Sequence, residues 1–83
     1  MRVAHIAKDG ALELNWMWLP TFIGQNFGLM RELQGVWAAR FKGQTPTEEI
    51  LEEVHRFTIN WLQEKLKIPG LNDYLSAITK VQQ

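Results

Sequence analysis

Two histidines, nine carboxylates, one serine and no cysteine bound the side-chain chemistry open to this 83-residue chain. His55 follows Glu52 by three residues, and Glu-x-x-His is half of the ligand pattern with which helix bundles hold a pair of iron ions. A complete site needs a second such motif and two more glutamates, which only a second copy, with Glu32 adding the rest, could supply. Stepped at 100° per residue, Glu52 points well away from the apolar stripe of its helix, and His55 only flanks that stripe. Ligands of a bundle metal must face inward, so Glu52 and His55 are poorly placed metal candidates, and no cofactor is expected.

Hydrolytic chemistry fares no better. Ser76 has no histidine near it in sequence, and no Gly-x-Ser-x-Gly elbow is present. Gly24 and Gly28 belong neither to Gly-x-Gly-x-x-Gly nor to a Gly-Lys-Ser/Thr phosphate loop. Glu48, Glu49, Glu52 and Glu53 scatter around a helix rather than converging. The absence of cysteine removes thiol nucleophiles and cysteine-held zinc. With no catalytic constellation, the chain reads as non-enzymatic. Arg31, Ala38 and Lys42 share one edge of a helix, but nine basic residues balance nine acidic ones, so nucleic acid is not an expected partner.

What remains is aromatic. Four Trp, four Phe and one Tyr sit in a chain that is 46% hydrophobic, a large apolar load for this length. Trp16, Trp18, Trp37 and Trp61 all fall on predicted apolar faces, where the ordinary role is core packing. The segment Trp16, Met17, Trp18 and Phe22, at a strand end around Pro20, is the candidate contact surface for a partner or a ligand, since Trp is enriched at interfaces.

The elements that position these residues can be read from periodicity. Residues 2–8 and 11–18 form two strands around Asp9-Gly10, a two-residue hairpin signal. That loop pairs Lys8 with Ala11, Ala7 with Leu12, His5 with Leu14 and Val3 with Trp16, so that Val3, His5, Ala7, Leu12, Leu14 and Trp16 share the buried face. The competing assignment makes residues 11–19 helical. From Phe22 to Lys42 runs the organising helix. Its apolar arc holds Ile23, Phe27, Leu29, Met30, Leu33, Val36, Trp37 and Phe41, and its opposite side holds Gly24, Gly28, Gly35, Ala38 and Ala39. Thr21 or Asn26 can cap it, and Gly43 ends it. The small side is expected to receive a close neighbour, so that Gly35→Leu would overpack it.

Thr45-Pro46-Thr47-Glu48 fits a capping box, with Thr45 as the cap and Pro46 at the first helical position. The helix that follows buries Ile50, Leu51, Val54, Phe57, Thr58, Trp61 and Leu62, sets Glu52 against Arg56 at its wet side, and stops near Lys67 before Pro69-Gly70. A last helix, about Asn72 to Val81, turns Leu71, Tyr74, Leu75, Ile78 and Val81 inward.

The reading is therefore one α+β domain over residues 1–83: an N-terminal hairpin packed on three helices, the first of them central. All-α is the alternative. The N-terminus lacks the apolar core of a secretory signal, and the run from Trp16 to Ile23 is too short to span a bilayer, so cytoplasm is the expected location and no membrane partner is expected. The expected function is protein interaction. A homodimer is expected because the apolar faces are too many for one small core, the hairpin has an unpaired edge, and zero net charge removes self-repulsion. The alternative is a small-molecule binder or minor enzyme with an apolar pocket lined by Trp and Met. A flat apolar patch would speak for the first, and an enclosed cavity with convergent polar groups for the second.

Overall fold

A computed structural model describes residues 2–15, 18–45 and 47–81, with the side chains of residues 78–81 outside that description. The order of elements is β1 (Ala4–Ile6), β2 (Leu12–Leu14), α1 (Thr21–Gly24), α2 (Phe27–Arg40), α3 (Glu48–Leu66) and α4 (Leu71–Val81). The fold is α+β, with a two-stranded antiparallel hairpin packed on helices.

The hairpin forms where Asp9-Gly10 places it, but its register is one residue away from the expected one. Ala4 faces Leu14, His5 faces Glu13 and Ile6 faces Leu12. The loop holds three residues instead of two. The Ala7 N–H donates to the Ala11 carbonyl at 2.8 Å and the Gly10 N–H donates back to the Ala7 carbonyl at 2.9 Å. Gly10 takes φ +86°, the left-handed conformation that ends a three-residue hairpin loop. The side chain of Asp9 accepts from the Ala11 N–H at 3.1 Å and steadies the same turn. Because side chains alternate, the slip inverts β1 while leaving β2 as expected. Ala4 and Leu14 are buried, whereas His5 lies on the outer side, exposed, with Nε2 3.4 Å from Glu13. Val3 stays buried, just outside the strand.

The organising helix is broken. Asn26 interrupts it, its side-chain oxygen accepting from the Leu29 N–H at 3.1 Å as the N-cap of α2. The four residues of α1 follow Pro20 with no side-chain cap. Met30, Leu33, Trp37 and Phe41 are buried as expected, with Ile23 beneath α1. Phe27 is a correction: as the first residue of α2 it is 73% exposed. So is the small side. Gly28, Gly35, Ala38 and Ala39 are exposed, and a Cβ added at Gly35 would meet nothing within 4 Å.

α2 and α3 run antiparallel, as their cross-contacts show. Glu32 pairs with Lys65 at 2.5 Å, Arg40 with Glu53 at 3.5 Å, and the indole N–H of Trp37 donates to Thr58 Oγ1 at 2.8 Å between them. Phe41 meets Phe57 edge-on, ring centres 5.8 Å apart. The start of α3 is a second correction. Thr47, not Thr45, is the N-cap, its hydroxyl accepting from the Ile50 N–H at 3.2 Å. Starting at Glu48 keeps Glu48 and Glu49 in the first turn, where carboxylates favour the helix dipole, and orders two fewer residues ahead of the apolar stripe. Pro46 lies outside the described residues. In α3 the buried set is Leu51, Val54, His55, Thr58, Ile59 and Leu62, with Ile50, Phe57 and Trp61 half-buried. Ile59 and His55 displace Phe57 and Trp61 from the centre of the expected stripe.

α3 ends on Lys67 in the left-handed conformation, φ 53°. Gln63 then ties the turn to α4, donating to the Ile68 carbonyl at 3.0 Å and accepting from the Asn72 N–H at 2.9 Å. Leu71 and Leu75 of α4 are buried, but Tyr74, expected inward, is half exposed. The expectations for Ile78 and Val81 lie outside the described side chains.

Two outcomes follow from this packing. Gly35→Ala should stabilise by about 0.5–1 kcal/mol, because it adds helix propensity where nothing is in the way, and a lowered thermal midpoint would contradict the open face. Thr58→Val preserves volume but strands a buried indole N–H, so chemical denaturation should show a loss of about 1–3 kcal/mol.

Candidate interaction site

The residues that could carry chemistry are bound up in structure. His55 is 6% exposed and accepts from the Val3 N–H through Nδ1 at 3.1 Å, a bond that requires the neutral ring. Trp18 lies edge-on to it, ring centres 5.3 Å apart at 74°. Burial pushes the imidazole below its ordinary range, against the opposing pull of Glu52. Glu52 does not pair with Arg56 as expected. Arg2 takes it, with Nε 3.1 Å from Glu52 Oε2 and Nη1 2.6 Å from Glu48 Oε2. Glu52 and His55 thus hold the N-terminal strand segment onto α3 and do not converge on a common ligand. No group of three or more metal-ligating side chains occurs among the described residues.

Of the four candidate contact residues, Trp18 is core: it is 1% exposed, one of the largest fully buried side chains. Trp16 and Met17 lie outside the described residues. Phe22 is 55% exposed on α1. Phe27, which sequence periodicity had assigned to the core, joins it at the corner where α1 meets α2. The signal that identifies Phe27 is Asn26: once Asn26 is the cap, Phe27 is the first helical residue and precedes the buried face that begins at Met30.

A second feature lies at the other end of α2. A groove of about 430 Å³ opens between the outer edge of β2 and the last turns of α2, lined by Leu12, Leu14, Gln34, Trp37, Ala38 and Lys42 among others. It is an open trough rather than an enclosed cavity. Trp37 and Phe41 floor it, and Met30 does not line it. No helix among the described residues is long and apolar enough to cross a membrane. No protein-family model, curated protein or solved structure matches the chain.

The buried imidazole makes stability depend on pH. With its pKa lowered by folding, the unfolded chain binds the extra proton, so stability rises with pH across this window. The contribution is complete above about 6.5, the ordinary histidine value, and is lost as pH falls below it toward the folded pKa. Thermal midpoints from neutral pH into the mildly acidic range should therefore drop more steeply for the wild type than for His55→Gln. Parallel curves would contradict the assignment.

Proposed function

We propose that this chain is a small non-enzymatic interaction module, homodimeric and cytoplasmic, that presents the corner between α1 and α2 to another protein. The observation that supports this best is the exposure of Phe22 and Phe27, at 55% and 73%. Leaving apolar area in water forgoes about 25 cal/mol per Å², and aromatic residues are the ones interfaces concentrate. The formal net charge of zero favours association in the same direction.

The excess of apolar surface from which a dimer was expected does not support it here. One buried cluster takes in the hairpin, α1, α2, α3 and α4, and the small side of α2 is solvated. The accessible surface, 5436 Å², is near the roughly 5,100 Å² expected of a monomer of this mass. Support for a dimer comes instead from the hairpin edge.

Both parts of the reading are testable. Light scattering at tens of micromolar should give twice the 9.7 kDa of one chain, and a 9.7 kDa species throughout would overturn the homodimer. The double variant Phe22→Ser, Phe27→Ser should hold its stability within about 0.5 kcal/mol while losing proteins that cross-link to the wild type in host extract. Cross-linked partners unchanged by the double variant would overturn the aromatic corner.

A further inference from the structure

The polar attachments of the hairpin to α3 are concentrated, among the described residues, at Arg2 and Val3. Val3 donates its backbone N–H to His55 Nδ1 at 3.1 Å, and Arg2 reaches Glu52 and Glu48 at 3.1 and 2.6 Å. Val3, Ala4 and Leu14 add apolar burial, while each strand is only three residues long. The buried attachment is the one with a titratable acceptor. A proton added to Nδ1 turns that acceptor into a donor, which then faces the Val3 N–H, a second donor that cannot turn away unless the strand moves. The surroundings do not favour a charged ring. Trp18, edge-on to it, carries no charge, and burial opposes the cation. Glu52 favours the proton, but it is shared with Arg2, which also takes Glu48. Arg2 and the chain's amino terminus oppose the proton. His5, the other histidine, is exposed on the outer side of β1 beside Glu13 and has no part in this attachment.

We infer that His55 is an acid-operated latch: protonation at Nδ1 releases residues 2–15 from α3 while the helices stay packed, uncovering the part of α3 around Leu51 and His55. A free hairpin of two such short strands does not persist in water. Its cross-strand bonds, from the Asn15 N–H to the Val3 carbonyl and from the Ala7 N–H to the Ala11 carbonyl, are therefore lost on release. Opening also frees Glu52 from Arg2, and a carboxylate three residues before a histidine on one helix favours the imidazolium. The helices keep their own attachments: Trp37 to Thr58, Phe41 against Phe57, and Gln63 to Asn72. Release is thus a step short of unfolding. The closed form binds the proton less readily than the open one, so the latch is shut above about 6.5, the ordinary histidine value, and opens as pH falls below it.

The test is site-resolved amide exchange of the wild type from neutral pH to about pH 5, corrected for the intrinsic pH dependence of exchange. Protection of the Val3, Ala7 and Asn15 amides should lie below that of Leu33 and Leu62 throughout. It should fall by up to about ten-fold per pH unit on the acid side of the ordinary histidine value, with Leu33 and Leu62 still protected at the acid end. Thr58→Val weakens the contact between α2 and α3, so it should lower protection of Leu33 and Leu62 and leave the hairpin amides unchanged. His55→Gln keeps an acceptor for Val3 without a titrating ring, so hairpin protection should no longer depend on pH. Hairpin and helix amides that share one protection at every pH, and drop together in Thr58→Val, overturn release short of unfolding. Hairpin protection in the wild type that is indifferent to pH overturns the latch itself. An acid response kept in full by His55→Gln overturns the role of His55.

Discussion

Two short strands do not hold together in water unaided, and the fold depends on how this hairpin is fastened. The fastening is the buried hydrogen bond from the Val3 N–H to His55 Nδ1. It joins a backbone donor just ahead of β1 to the middle of the longest helix. An unpaired amide at that depth would cost about 1–3 kcal/mol, so the histidine answers a demand that an apolar side chain could not meet. Trp18 closes over the same ring, which ties in the chain after β2, and Arg2 adds ion pairs to Glu48 and Glu52 at the rim. Rim pairs of that kind are worth at most about 1 kcal/mol, so the buried bond and the aromatic lid are the dominant contributions. Once the hairpin is placed, α3 presents its remaining buried face to α2, and Trp37 reaches Thr58.

The elements themselves were legible in the sequence, because each has a local cause. Asp9-Gly10 turns the chain, Asn26 caps, Gly43 and Pro69-Gly70 punctuate, and apolar residues recur at helical spacing. What was not legible was phase. A turn of three residues rather than two uses the same Asp-Gly pair, with Gly10 in the left-handed conformation and Asp9 accepting from the Ala11 N–H. Likewise Thr21 and Asn26 are equally good caps on paper. Choosing Asn26 splits one long helix in two and releases Phe27 from the core. Thr45 and Thr47 pose the same ambiguity two residues apart. In each case the competing assignments differ by little in local propensity.

The candidate contact surface is only partly visible in the sequence for a related physical cause. Periodicity separates apolar from polar faces, yet it cannot say which apolar residues the core has room for. Trp18 is core because His55, assigned to a flank, faces inward and meets its ring edge-on, whereas Phe27 is exposed because Asn26 makes it the first residue of α2. The β2 edge was visible as a general liability of hairpins. Its register required the structure.

The aromatic corner and the strand edge need not compete, and the geometry of α2 is the reason. Phe27 begins the helix, while Ala38 lies in its last turn and Lys42 just past its end, both beside the groove. At 1.5 Å per residue, Phe27 and Ala38 are separated by roughly 16 Å along the axis. A second copy at the hairpin edge can leave the first turn of the helix uncovered. A homodimer joined there would carry two Phe22–Phe27 corners, one per copy, related by the two-fold axis. A symmetric pair of weak aromatic contacts gains through effective concentration what neither gains alone, provided that the target spans both. Gly35 costs helix stability where nothing lies within 4 Å of an added Cβ.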